Sequence, residues 1–332
     1  MSDDIQFAAR IRERYPEGLT GIYAVGGTRT AYILERKRYS QNPGQIDDFA
    51  DYAQYTLNQY LRLLKDYFEL GGRNLIIPPL SYQAFYERGE EYTRIILKYT
   101  LQLIGDQATT LYEQCEADPY FVGIDTLLQL PDTQAIRGLG VKLQQFQNEW
   151  PYSPGRRKII WEIAPIPLYS FWRADLVMPA AARREVETAL NSTTDMLEMY
   201  RVLFSYYSRA ALGVEIPVPH LYIGTNRNGD LKLRSMIPIA LMAGGPFRLF
   251  YLPYPSLFMT RSVLQTILTD LAFGSKSSSK GYDYSGQYTS EYAQAEYRRV
   301  LELVSDPQAI VGLKATRDSS AFSGPEETGR QQ

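Results

Sequence analysis

Short apolar runs recur along the chain, each rich in β-branched and aromatic residues and bounded by turn residues. Runs of this length and composition are typical of buried β-strands. We therefore predict five strands, which are "LTGIYAV" (19–25), "RNLIIPP" (73–79), "RKIIWEIA" (157–164), "HLYIGT" (220–225) and "FRLFYLP" (247–253).

Between these runs the apolar positions follow helical spacing. The clearest case is 47–70, which has acidic residues in its first turn and is followed by Gly71 and Gly72. Strands that alternate with helices predict an α/β fold with a largely parallel central sheet flanked by helices. Ligands bind such folds at the carboxyl ends of the strands. Further helices are predicted at 81–104, 133–148, 180–210, 259–273 and 288–304.

The pattern predicts a single α/β domain over residues 1–315. The segment 316–332, "TRDSSAFSGPEETGRQQ", is rich in small, polar and charged residues. Such a composition cannot bury enough apolar surface to fold, so we expect a disordered C-terminal tail.

Composition excludes several classes of function. The formal net charge is −2, which gives no general attraction for nucleic acid or an anionic membrane. Cys115 and His220 are the only cysteine and histidine, so an internal disulfide, thiolate clusters and histidine-rich metal sites are excluded. The apolar stretch 236–259 is interrupted by prolines and glycines, and the acidic N-terminus is unlike a signal peptide. We expect a cytoplasmic protein without an integral membrane segment.

The chain also contains 27 tyrosines. Packing and phenol hydrogen bonds explain most tyrosine-rich cores. The functional alternative is a cavity lined by aromatic faces, which would stabilise a cation.

The turn after the first predicted strand is the main candidate for chemistry. Residues 26–30 read Gly-Gly-Thr-Arg-Thr, and such a turn can hold an anion through its backbone N–H groups and Arg29. No Walker A lysine follows the glycines, and no G-x-G-x-x-G sequence opens a helix there. Nucleotide-dependent phosphoryl or hydride transfer is therefore unsupported.

Two groups of carboxylates could accompany this turn. Asp47, Asp48 and Asp51 begin the helix at 47–70, where positions 47 and 51 share a face and could hold Mg²⁺ bound to a diphosphate. The helix dipole alone also explains acidic residues there, and we favour that explanation. Glu91 and Tyr92 lie early in the next helix, either in a solvated turn or facing the strand-end cleft.

Several segments together resemble the bacterial tuberculosinyl adenosine transferase family. Its members process diterpenes on the cis-prenyltransferase fold, and kolavelool synthase is a close relative in function. The similarity covers about residues 22–116 and 219–315, and it lies in the order and spacing of the motifs. These are "GTR" (27–29), "DY" (51–52), "LIIPPLS" (75–81), "ERGEEY" (87–92), "YIG" (222–224), "PSLFMT" (255–260) and "DYS" (283–285).

The resemblance implies a parallel sheet of about six strands and a homodimer. It implies a substrate too, a bicyclic C20 diphosphate of the clerodane or halimane type such as kolavenyl diphosphate. This would lose diphosphate, with Mg²⁺ as the probable cofactor, to give an allylic cation that water captures as a tertiary alcohol. Residues 26–30 fall on the diphosphate-binding turn, Arg29 on a diphosphate-binding arginine, and Tyr52 and Tyr92 on tyrosines near the leaving group.

The sequence departs from the family at two positions of the turn. Gly26 stands where the family has a catalytic aspartate, and Thr30 replaces its second arginine. Asp47, Asp48, Asp51 and Glu91 are the candidates for a replacement metal-binding carboxylate. Two other functions stay open: a diterpenyl transferase to a nucleoside or amine, and a non-catalytic isoprenoid-diphosphate-binding partner subunit.

Overall fold

The computed structural model describes residues 2–36, 46, 48–86, 89–130, 133–225, 233–236, 247–274 and 290–305. Within these ranges the strands are β1 (Thr20–Tyr23), β2 (Asn74–Leu80), β3 (Ala117–Val122), β4 (Arg157–Ile163), β5 (Leu221–Thr225) and β6 (Arg248–Leu252). The helices are α1 (Ser2–Arg14), α2 (Thr28–Arg36), α3 (Phe49–Glu69), α4 (Gly89–Leu101), α5 (Asp106–Gln114), α6 (Ile124–Gln129), α7 (Gln134–Glu149), α8 (Pro167–Val177), α9 (Ala180–Asn191), α10 (Met196–Tyr207), α11 (Arg261–Phe273) and α12 (Ser290–Ser305).

The described strands form one sheet in the order β3-β4-β2-β1-β5-β6, and every neighbouring pair is parallel. The expected α/β fold with a parallel sheet of about six strands is confirmed. Because all strands point the same way, the turn at Gly26 lies at the edge of the sheet where the carboxyl ends of the strands meet.

Strand β3 was not predicted, because its sequence "ADPYFV" contains Asp118 and Pro119. Proline is tolerated here since, among the strands that the structure describes, β3 is an edge strand paired with β4 alone. Asp118 is 2% exposed, and its carboxylate accepts hydrogen bonds from Trp150 Nε1 (3.0 Å) and the Ser153 N–H (3.1 Å). Distant partners thus make a polar residue compatible with a buried strand.

Alternate residues of the strands pack into two cores, one on each face of the sheet. One face, with Leu75, Trp161 and Ile223, packs against α3, α4, α5, α7 and α11. The other face, with Ile76, Ile160 and Tyr222, packs against Phe204 of α10 and residues that follow it.

Helix α2 is a second difference from the sequence expectation, which treated residues 26–30 as a turn and predicted no helix over 28–36. Nothing in the Thr-Arg-Thr start favours a helix strongly. Its stability comes from packing, since Ala31 and Tyr32 are fully buried and the Tyr32 hydroxyl donates to Asp51 Oδ2 of α3 (2.8 Å).

The chain divides into two compact units, Met1–Thr225 with Lys232–Ser275, and Asn226–Leu231 with Lys276–Gln332. The first contains the sheet, and the described part of the second is α12. The extent of the domain over 1–315 stays a prediction, and the expected tail at 316–332 lies outside the described residues. No helix in the described ranges combines the length and apolar character needed to span a membrane.

Candidate active site

The turn after β1 is clamped by Ser256, which follows β6. The Gly26 N–H donates to Ser256 Oγ (2.7 Å), and the Ser256 N–H donates to the Gly26 carbonyl oxygen (3.1 Å). The Tyr23 hydroxyl also donates to the Ser256 carbonyl oxygen. The Gly26 N–H is therefore hydrogen-bonded within the protein and is not available to a ligand.

Gly27 turns the chain into α2. Its φ of +72° lies in the left-handed region, where an L side chain is strained, and an added Cβ would come within 3.2 Å of Pro255 Cβ. The Ala31 N–H donates to the Gly27 carbonyl oxygen (2.9 Å), so α2 begins here. Thr28, Arg29 and Thr30 then form the first turn of α2, where the positive end of the helix dipole lies.

The structure brings three of the predicted catalytic residues together beside this turn. Thr28 Oγ1 and the Tyr52 hydroxyl are 2.7 Å apart, which joins the start of α2 to the start of α3. The Arg29 guanidinium carbon lies 5.9 Å from the centre of the Tyr92 ring. Burial raises the pKa of Tyr52, while the Thr28 hydrogen bond and the charge of Arg29 oppose the rise. Tyr52 is therefore a neutral phenol at pH 7.

A second arginine, which the sequence reasoning missed, lies on the other side of the turn. A Cβ added to Gly26 would be 3.7 Å from Arg234 Nη1. The Arg234 N–H donates to the Tyr222 hydroxyl (2.9 Å), which fixes the backbone of this arginine to β5. In the described ranges neither Arg29 nor Arg234 forms an ion pair with a carboxylate. Among the groups that the structure describes, the turn is thus flanked by two uncompensated positive charges.

The described carboxylates near the turn have structural partners. Asp48 caps α3, since its Oδ1 accepts from the backbone N–H groups of Ala50 (2.9 Å) and Asp51 (3.0 Å). Asp51 accepts the hydrogen bond from Tyr32. Asp47 and the side chain of Glu91 lie outside what the structure describes. Among the described residues, no group of three or more histidine, cysteine, aspartate or glutamate side chains could hold a metal ion.

Aromatic side chains occupy the interior behind the turn. Tyr60 lies eight residues after Tyr52 on α3, which is about 12 Å along the helix. Tyr60 and Trp161 are buried with their ring centres 5.8 Å apart in an edge-to-face contact. The Tyr99 hydroxyl is buried there without a hydrogen-bond partner among the described residues.

His220 takes no part in this site. It precedes β5, at the amino edge of the sheet, and its Nδ1 accepts a hydrogen bond from the Thr20 N–H (3.1 Å). Burial lowers the pKa of His220 to about 4, so the imidazole is neutral at pH 7. It is a structural histidine.

Sequence comparisons identify no relative, since no protein-family model matches the chain and no curated protein matches it. Solved structures do match. Lavandulyl diphosphate synthase from Lavandula x intermedia, in complex with dimethylallyl diphosphate, superposes with a TM-score of 0.51 and 12% identity, over 78% of this chain and 97% of that one. A probable undecaprenyl diphosphate synthase from Campylobacter jejuni gives a TM-score of 0.46 with the same identity and coverage. The six-stranded parallel sheet and the first superposition together show that the chain has the cis-prenyltransferase fold.

Proposed function

We propose that this chain is a diterpene synthase that ionises a bicyclic C20 diphosphate of the clerodane or halimane type, such as kolavenyl diphosphate. One observation carries the proposal. Arg29 belongs to the first turn of α2, the Arg234 guanidinium lies beside Gly26 at the same carboxyl edge of the sheet, and neither arginine has a carboxylate partner in the described ranges. This arrangement is suited to a multiply charged anion such as diphosphate.

The reaction begins when the bond between C1 of the substrate and the bridging diphosphate oxygen breaks. The electron pair leaves with the diphosphate, and an allylic cation remains. Arg29, Arg234 and the N–H groups of α2 stabilise the charge that develops on the leaving group. To Tyr52, which is a neutral phenol hydrogen-bonded to Thr28, we assign the donation of a hydrogen bond to the departing oxygen.

The aromatic interior stabilises the cation. The faces of Tyr52, Tyr92 and the deeper Tyr60 offer negative electrostatic potential without a nucleophile that would trap the intermediate. Water then adds to the tertiary allylic carbon, and its proton passes to the released diphosphate. The product is a tertiary diterpene alcohol and diphosphate, and neither the cysteine nor the histidine takes part.

The fold neighbour supports an isoprenoid diphosphate as the substrate class. Lavandulyl diphosphate synthase was crystallised with dimethylallyl diphosphate, and we extend this ligand class to the present chain. The bicyclic C20 skeleton and water capture rest on the motif resemblance. A homodimer rests on the same resemblance, and light scattering of the purified protein would test it.

Mg²⁺ is the expected cofactor, but the described carboxylates do not form a ligand set for it. The proposed metal site therefore rests on Asp47 and Glu91, whose side chains are not described. In the family Mg²⁺ would neutralise diphosphate charge, and the steps above are assigned to the residues of this chain alone.

Gly26 favours a second candidate function. A chain without the usual aspartate could bind an isoprenoid diphosphate and support a partner without turning it over. The retained cluster of Arg29, Tyr52 and Tyr92 argues against this alternative, because a binding subunit has less need of it.

Product analysis distinguishes these functions. Purified protein is incubated with geranylgeranyl diphosphate and, separately, with bicyclic halimadienyl and kolavenyl diphosphates, with and without Mg²⁺. A tertiary alcohol from a bicyclic diphosphate, seen by gas chromatography–mass spectrometry, is the expected result. Product formed only when a nucleoside or amine is added would indicate a transferase. Binding of diphosphate with no product under any condition would indicate the binding subunit.

A further inference from the structure

Glu162 is a buried carboxyl group that the mechanism above does not use. It lies in β4 within an otherwise apolar run, and its side chain is 0% exposed. Ser235 Oγ donates to Glu162 Oε1 (2.8 Å), and the Met236 N–H donates to Oε2 (2.9 Å). Both oxygens are thus satisfied by the segment that directly follows Arg234.

The segment 234–236 is consequently attached to the sheet at three points. Two are the hydrogen bonds to Glu162, and the third is the bond from the Arg234 N–H to Tyr222 of β5 (2.9 Å). The first residue of this segment carries the guanidinium that lies beside Gly26. β4 and β5 are separated in the sheet by β2 and β1, and Met236 is buried in the core that Ile76, Ile160 and Tyr222 form, so the segment lies on that face of the sheet.

We propose that Glu162 is a positioning residue that holds Arg234 against the diphosphate-binding turn. The inference rests on the proposed function, since it assigns Arg234 to the diphosphate. An apolar side chain of similar volume would be buried at lower cost than a carboxyl group. The buried carboxyl group of Glu162 instead fixes the position of the segment 234–236.

The state of the carboxyl group is consistent with this role. Burial raises the pKa of Glu162 to about 7, and the bonds from Met236 and Ser235 oppose the rise by favouring the ionised form. Replacement by glutamine keeps one acceptor oxygen and loses the other, whereas alanine loses both. The two variants therefore form a graded series.

Binding of inorganic pyrophosphate to the full-length protein, measured by isothermal titration calorimetry, tests the proposal. We expect Glu162→Ala to raise Kd about ten- to a hundredfold, as Arg234→Ala does, because losing one charge-assisted contact has an effect of that size. Glu162→Ala combined with Arg234→Ala should bind no more weakly than Arg234→Ala alone, and Glu162→Gln should lie between wild type and Glu162→Ala. Glu162→Ala combined with Arg29→Ala should instead show additive losses.

Asp118→Asn is the matched control, because it alters another buried carboxylate with a backbone N–H partner, on the edge strand β3. It should lower the unfolding temperature and leave the pyrophosphate Kd unchanged. Unchanged binding by Glu162→Ala, or additive losses with Arg234→Ala, would overturn the positioning role. If Glu162→Ala does not fold, an unchanged Kd for Glu162→Gln overturns it too. Wild-type protein that binds no pyrophosphate would instead refute the proposed function itself.

Discussion

Replacing Gly26 by aspartate tests how this chain manages without the carboxylate that the family it resembles has at the corresponding position. The backbone accepts a side chain there, because Gly26 does not have a positive φ. The space is tight, however, since an added Cβ would lie 3.1 Å from Thr225 Cβ and Oγ1 and 3.7 Å from Arg234 Nη1. A carboxylate at position 26 would therefore be within ion-pairing distance of Arg234.

The size of the effect follows from that distance. Two unit charges about 4 Å apart interact by about 4 kcal/mol at an effective dielectric constant of about 20. Arg234 is exposed, so solvent screening reduces the interaction to about 0.5–1 kcal/mol. Because the new carboxylate competes with diphosphate for Arg234 and repels it, we expect pyrophosphate to bind about two- to fivefold more weakly without Mg²⁺.

Gly26→Asn provides the control, since asparagine has the shape of aspartate without the charge. Both variants bear the same steric cost against Thr225, about 1–3 kcal/mol for overpacking, so only their difference reports the charge. Pyrophosphate affinity is measured for each with and without Mg²⁺, and Mg²⁺ should reduce the difference by bridging the introduced carboxylate and the anion. Equal affinities of the two variants in the absence of Mg²⁺ would refute the placement of Arg234 at the anion site.

Three further predictions follow from the site and its surroundings. Arg29→Ala should weaken pyrophosphate binding about ten- to a hundredfold and leave the unfolding temperature unchanged. Arg73→Ala alters an arginine at the opposite, amino-end edge of the sheet and should leave pyrophosphate binding unchanged. Equal effects of the two variants on binding would refute the assignment of Arg29 to the anion site. In a double-mutant cycle of turnover rates, Thr28→Val and Tyr52→Phe should couple by about 1 kcal/mol because the two side chains share a 2.7 Å hydrogen bond. Additive effects would show that this hydrogen bond does not contribute to turnover. The free energy of unfolding in urea should depend on pH through two groups with opposite effects. Because the pKa of His220 is lowered, the free energy of unfolding should increase by about 3 kcal/mol as pH rises from about 4 to about 6.5. Because the pKa of Glu162 is raised, the free energy of unfolding should decrease by about 3 kcal/mol as pH rises from about 4.5 to about 7. Glu162→Gln should therefore show only the increase in stability due to His220, and His220→Asn only the decrease due to Glu162. A variant whose stability depends on pH as in the wild type would contradict the cause given for its group.

The fold follows from the sequence where local pattern and tertiary environment agree. Four of the five predicted strands, β1, β2, β4 and β5, are buried over most of their length in the parallel sheet, so their apolar, β-branched pattern is strong. β3 escapes prediction because Asp118 and Pro119 disrupt the pattern, and distant groups such as the Trp150 indole compensate for it. Helix α2 escapes prediction for the same kind of reason, since Tyr32 and its bond to Asp51 stabilise a weak local sequence.

The residues of the candidate site likewise differ in whether the sequence could predict them. Arg29, Tyr52 and Tyr92 lie in motifs that are close in sequence, so motif order could point to them. Arg234 and Ser256 are far in sequence from the turn beside which they lie. Ser256 falls in the "PSLFMT" motif, but nothing local shows that its hydroxyl bonds to the turn, and no local pattern marks Arg234. The aspartates at the start of α3 show the opposite case. The sequence pattern allowed metal binding, and in the structure Asp48 is the N-cap of α3 and accepts hydrogen bonds from backbone N–H groups of the first turn.

The proposed function requires that the turn between β1 and α2 bind and activate the diphosphate of an isoprenoid substrate. Its most direct test is the rate of diphosphate release from kolavenyl diphosphate by wild-type protein, Arg29→Ala and Arg234→Ala, with the alcohol product quantified in the same reactions. We expect steady release and one alcohol per diphosphate for the wild type, with a large loss of rate in both variants while they stay folded. Wild-type rates in both arginine variants, or no release by wild-type protein that binds pyrophosphate, would contradict it.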